Sequence, residues 1–135
     1  MGETPAGDRI IGVVEDDESV RMAIRSLLRS LGFQVETFGS AECLLRSARL
    51  DDVACLIVDV CLPGMSGLDL QRRLIAANRA LPMAFITAHD DPIAQRQALA
   101  AGALAFLRKP FSEESLLNAV RSALTRAGGS RGPNP

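Results

Sequence analysis

Residues 54–60 read Ala54-Cys55-Leu56-Ile57-Val58-Asp59-Val60, and within them Cys55 to Val58 form the most apolar run of the chain. Continuous runs of this kind belong to strands of a parallel sheet, whose two faces are both covered. This one leads into a carboxylate. Shorter apolar runs bounded by turn or charged residues stand at Ile10–Val14, Val35–Phe38, Met83–Ala88 and Ala103–Leu107. Between them lie segments with helical spacing of apolar residues: Val20, Ile24, Leu27, Leu28 and Leu31; Leu44, Leu45 and Ala48; Leu70, Leu74 and Ile75; Ile93, Ala94, Gln97, Ala98 and Ala101; Leu116, Leu117, Val120 and Leu124. Each places a stripe on one helix face. Helix-start signals fall at the same boundaries. Ser66 with Asp69 resembles a capping box, Asp91-Pro92 gives an N-cap followed by proline, Asp17 or Ser19 caps the first helix, and Ser112-Glu113-Glu114 puts anions at a helix's positive end. Five alternating strand and helix units predict an α/β fold, a doubly wound five-stranded parallel sheet with five helices.

The 135 residues are 47% hydrophobic and 4% aromatic, with 15 basic against 16 acidic side chains. That length suits one domain with a single well-filled interior. Residues 1–8 and 127–135 have the Gly, Pro and Ser content of a disordered N-terminus and a flexible tail, which leaves a folded unit of 9–126. Near-neutral charge argues against direct nucleic-acid contact, which needs a basic surface. Cys43, Cys55 and Cys61 form no metal-binding pair spacing, so a reduced, cytoplasmic chain is expected. The start Met1-Gly2-Glu3 has an acid where a signal peptide needs positive charge, and no apolar stretch approaches the roughly 20 residues that would span a bilayer, so neither a signal peptide nor a membrane role is expected.

In a doubly wound sheet the functional crevice lies beyond the carboxyl ends of the strands. There the chain places Glu15-Asp16-Asp17, Asp59, Thr87 and Lys109-Pro110. A carboxylate at the end of a central buried strand is costly unless something positive meets it, and Glu15 and Asp16 deepen the deficit. Three carboxylates suit a hard divalent cation with oxygen ligands, and Mg²⁺ fits such a site. Of the 15 basic residues fourteen are arginine, and Lys109 is the single lysine. It brings a compact point charge where guanidinium would bring a planar fork. Thr87 adds an uncharged donor suited to an anion present part of the time. Together these groups describe an Asp59 able to accept a phosphoryl group.

The motifs Val13-Val14-Glu15-Asp16-Asp17-Glu18, Leu56-Ile57-Val58-Asp59-Val60-Cys61-Leu62-Pro63-Gly64-Met65-Ser66-Gly67, Phe85-Ile86-Thr87-Ala88 and Ala101-Gly102-Ala103 through Lys109-Pro110-Phe111 resemble the receiver domain of two-component response regulators, with its CheY-like fold. Phe38-Gly39-Ser40-Ala41-Glu42 and the fifth-strand segment further resemble the FixJ-type subgroup. The resemblance implies strand order 2-1-3-4-5, a histidine kinase or phosphotransfer protein as phosphoryl donor, and Mg²⁺ as cofactor. It implies Asp59 as phosphoacceptor, Asp16 as direct metal ligand, Glu15 acting through metal-bound water, and the backbone carbonyl of Cys61 as a further ligand. Thr87 and Lys109 would bind phosphoryl oxygens, the bond to Pro110 would be cis, and Phe106 would be the switch aromatic. His89, and the residue Cys61 itself, stand where side chains tune dephosphorylation. The surface of the fourth helix, fifth strand and fifth helix would change on phosphorylation and is a homodimer face in many receivers.

Two other functions are open to such a chain. A haloacid-dehalogenase-like phosphatase also uses a strand-end aspartate and Mg²⁺, but it resembles Asp-x-Asp, and Cys61 stands where the second acid belongs. An interaction module that is never phosphorylated would lack the acceptor, an acid or the lysine, and none is missing. After Arg126 nothing resembles an output domain. A stand-alone regulator and the receiver of a transcription factor are therefore both compatible with the sequence.

Overall fold

The computed structural model describes residues 10–129. The expected disordered residues 1–8 and the last six residues of the expected tail lie outside them. In chain order the elements are β1 (Ile10–Val14), α1 (Glu18–Ser30), β2 (Gln34–Phe38), α2 (Ala41–Arg46), a 3₁₀ turn (Leu50–Asp52), β3 (Val53–Asp59), α3 (Gly67–Ala76), β4 (Met83–Thr87), α4 (Pro92–Ala100), β5 (Ala105–Arg108) and α5 (Glu113–Gly129). All strands are parallel, in the order β2-β1-β3-β4-β5. The strand order reverses between β1 and β3, which opens the crevice at their carboxyl ends.

Strand alternation divides the interior in two. Ile11, Val13, Cys55, Ile57 and Ile86 face one way and pack with Ile24 and Leu28 of α1 and Leu116, Val120 and Ala123 of α5. Val14, Leu56, Val58, Met83 and Phe85 face the other way, toward Ala41 and Leu44 of α2, Leu70 and Leu74 of α3, and Ala94 and Ala98 of α4. The caps stand where the residue types place them. Asp17 accepts from the Val20 N–H, Asp91 accepts from Ala94 with Pro92 in the first turn, and Ser66 and Asp69 close a reciprocal capping box.

Three details depart from the sequence reading. Helix α2 ends at Arg46, short of Ala48, because Ser47 is extended and its hydroxyl accepts from the Arg49 N–H, a local bond that competes with the helix. Helix α5 continues to Gly129, three residues past the boundary placed at 126, since a nucleated helix gains a hydrogen bond with each added residue. Ile93 does not lie on the seated face of α4. It is 61% exposed, and only Ala94 and Ala98 are buried. At about 25 cal/mol per Å² two methyl groups hold a helix weakly. Amide exchange across residues 92–100 is therefore expected to be faster than across α3, which seats Leu70 and Leu74. Equal protection of the two helices, measured by hydrogen exchange with mass spectrometry, would refute this.

Candidate functional site

Four buried polar or charged side chains occur among the described residues, and Glu15, Asp59 and Thr87 are three of them. All three stand at carboxyl ends of strands. Glu15 follows β1, is 0% exposed, and extends the ladder by donating its N–H to the Phe38 carbonyl at 3.0 Å. Its carboxylate accepts from the Asp17 N–H at 3.0 Å on Oε2 and from Lys109 Nζ at 2.8 Å on Oε1. Asp59 ends β3 and is 5% exposed. Its Oδ1 accepts from the Cys61 N–H at 2.9 Å and its Oδ2 from Lys109 Nζ at 2.9 Å. One ammonium therefore bridges two carboxylates from strands 94 and 50 residues away in sequence.

Position 109 is fixed from β4: the Lys109 N–H donates to the Thr87 carbonyl at 2.7 Å. The Lys109-Pro110 bond is cis, as the resemblance implied. Thr87 accepts from the His89 N–H at 3.1 Å. The His89 contribution visible in the structure is thus its main chain, and the residue itself is exposed. Cys61 likewise meets Asp59 through its amide, and the residue is exposed. Asp16 is exposed at the mouth, where one oxygen of its carboxylate and one each from Glu15 and Asp59 lie within 4.8 Å of one another. Asp17 is turned away as the cap of α1. Phe106 is half-buried on β5, with its ring centroid 6.3 Å from that of Phe85. It stands apart from the acid group, beside β4.

Two residues that sequence reasoning assigned no role also shape the site. Arg21 of α1 donates to the Glu15 carbonyl at 2.8 Å and to that of Asp16 at 3.5 Å, which holds the acidic loop by its backbone. Glu42 of α2 accepts from the Met65 N–H. Neither contact has a local periodicity that would announce it.

Three carboxylates against one ammonium leave a formal charge of −2. Burial raises the pKa of Glu15 most, the bonds from Lys109 and the Asp17 amide oppose it, and the Asp59 charge raises it further, so the group stays above the ordinary carboxylate range. For Lys109 burial works against the charge, but the bonds and charges of Glu15 and Asp59 outweigh it and hold the ammonium above its ordinary value. An all-oxygen, net-negative donor set fits a hard divalent cation.

A raised carboxyl pKa makes the folded chain bind that proton more tightly than the unfolded one. The stability Glu15 contributes is then fully present below its unfolded value of about 4.5 and is lost as pH rises through the raised folded value. In metal-free buffer Glu15→Gln is expected to melt above wild type near neutrality and to show a flatter dependence of Tm on pH. Superimposable melting curves at each pH would refute the assignment.

The response regulator receiver domain model matches residues 11–121. Nodulation protein W of Bradyrhizobium diazoefficiens is 45% identical over 126 residues, which cover 93% of this chain and 56% of that protein. Among solved structures, the response regulator StyR superimposes with a TM-score of 0.85 at 45% identity, covering 91% of this chain and 62% of that one. FixJ-N gives a TM-score of 0.78 at 34% identity, covering 87% and 94%. The chain spans about half the length of the curated relatives it matches. No helix among the described residues is long and apolar enough to cross a membrane.

Proposed function

The chain belongs to the response regulator receiver domain family, and from that premise we propose that it is a phospho-accepting switch with Asp59 as the acceptor. Receiver domains of response regulators interact with histidine kinases or phosphotransfer proteins. The observation that carries the proposal is the Lys109 ammonium bonded at once to Asp59 and Glu15, beside Asp16. An oxygen of Asp59 attacks the phosphorus of a phosphohistidine, the P–N bond breaks, and the departing imidazole takes up a proton. Glu15, Asp16, Asp59 and the Cys61 carbonyl would hold Mg²⁺. When bound, that ion supplies positive charge to the phosphoryl oxygens. Lys109 turns from its carboxylate partners to a phosphoryl oxygen, and Thr87 donates its hydroxyl to another. Phe106 follows Thr87 inward. The His89 side chain and the Cys61 thiol adjust how fast water removes the phosphoryl group. The only chemistry the chain catalyses is its own phosphorylation and dephosphorylation.

The surface of α4, β5 and α5 is then the one that changes, and a homodimer through this face is part of the proposal, as is a cytoplasmic location without direct nucleic-acid contact or membrane association. Output passes either to a further domain, as the greater length of the curated relatives suggests, or to a bound partner as in a single-domain regulator. Incubation with acetyl phosphate and Mg²⁺, read by intact-protein mass, is expected to add one phosphoryl group. Chelation of Mg²⁺ is expected to abolish the addition. No mass gain in the presence of Mg²⁺ and either acetyl phosphate or a phosphorylated kinase would sink the proposal.

A further inference from the structure

The connection from β3 to α3, residues 60–66, forms one wall of the acidic site and is tied locally at both ends. At one end the Cys61 N–H donates to Asp59, and at the other Ser66 caps α3 while the Gly67 N–H donates to the Val60 carbonyl at 3.0 Å. Its middle is held from a distant element. The Met65 N–H donates to Glu42 Oε2 at 3.0 Å, across 23 residues of sequence. Glu42 stands in the first turn of α2, and its carboxylate occupies the space beside Gly64. A Cβ on Gly64 would lie 2.7 Å from Glu42 Oε2, and the φ of +73° at that residue is one that favours glycine. The Met65 amide also keeps the Glu42 carboxyl below its ordinary range, so an ionised acceptor faces this donor at neutral pH, the stronger kind of hydrogen bond.

We propose that Glu42 is a positioning residue for the acidic site. Held on a helix, its carboxylate fixes the Met65 amide and thereby the path of residues 60–66. That path sets the Cys61 amide on Asp59 and, with it, the backbone of the residue whose carbonyl the receiver reading takes as a ligand. Outer partners of this kind govern metal affinity without touching the ion. The inference rests on the receiver reading, because it takes the Cys61 carbonyl as a ligand.

The test uses the full chain with Glu42→Ala and Glu42→Gln. The glutamine amide oxygen can still accept from Met65, whereas alanine cannot. Two quantities are read: Mg²⁺ affinity by titration calorimetry, and amide exchange of residues 61–65 in metal-free buffer. Glu42→Ala is expected to weaken Mg²⁺ binding about tenfold, the low end for an outer partner, and to speed exchange at Cys61 and Met65. Glu42→Gln is expected to stay close to wild type in both. Gly64→Ala, which drives a methyl group into Oε2, reaches the same bond from the loop side and is expected to weaken Mg²⁺ by a similar factor, so the test survives if Glu42→Ala does not fold. Wild-type affinity and exchange in Glu42→Ala, or in Gly64→Ala where Glu42→Ala does not fold, would overturn the inference, as would equal weakening by Glu42→Ala and Glu42→Gln. If wild type itself binds no Mg²⁺, the reading of the site fails, and the inference with it. Tight wild-type binding with no effect of the variants overturns the inference alone.

Discussion

Asp59→Asn is expected to take up no phosphoryl group from acetyl phosphate or a phosphorylated kinase while remaining folded. The amide oxygen that replaces the carboxylate is a poor nucleophile, so the loss should be complete within detection rather than partial. The side chain keeps its shape. Its oxygen can still accept from the Cys61 N–H, but its NH₂ group then faces Lys109 Nζ, donor against donor. Lys109 retains Glu15 as partner. One carboxylate also leaves a group that carries more negative than positive charge, and this relief offsets the lost hydrogen bond. Tm should therefore fall within a few degrees of wild type. Label on Asp59→Asn equal to that on wild type would place the acceptor elsewhere.

Gly67→Ala is expected to have the largest effect on stability. Gly67 opens α3 directly against the end of β3, and a Cβ there would stand 2.5 Å from the Asp59 carbonyl oxygen, 3.0 Å from Val58 Cγ1 and 3.1 Å from Val60 Cα. Two of these three atoms are backbone, and neither can swing aside. Either the helix lifts from the sheet or the strand end moves, and overpacking of this kind costs about 3 kcal/mol. At this chain size the corresponding drop in Tm is about 10 °C. Because the obstructing carbonyl belongs to Asp59, the acceptor is displaced along with the helix, and phosphoryl uptake should fall too. A variant melting within about 2 °C of wild type would show that the contact can relax locally.

Much of the fold and of the site is legible along the chain, for a physical reason. A strand buried on both faces must be a continuous apolar run, so the positions at which Val14, Val58, Ile86 and Leu107 give way to polar residues mark the rim of the sheet. Glu15, Asp59, Thr87 and Lys109 are what stands there, and the fold brings them together. Contacts between elements leave no such trace. Arg21 serves Glu15 by reaching back from a helix, and Glu42 serves Met65 from α2, 23 residues away in sequence. Gln71, the fourth buried polar residue, donates to the Ala98 carbonyl and ties α3 to α4. Ile93 misled because alanine and isoleucine count alike in a periodicity, and only packing against the sheet chose the alanines. The short α2 was hidden for the opposite reason: a single serine hydroxyl sufficed to end it.

The alanine seat of α4 also bears on what it costs the helix to leave. When a leucine is drawn from an interior it leaves a hollow the surroundings only partly fill, and the cost grows with the volume of that hollow. Ala94 and Ala98 would vacate only the volume of two methyl groups. Reshaping this side of the molecule thus needs little of the driving force that a single phosphoryl group on Asp59 could supply, and the Gln71 bond near the end of α4 would decide which end travels.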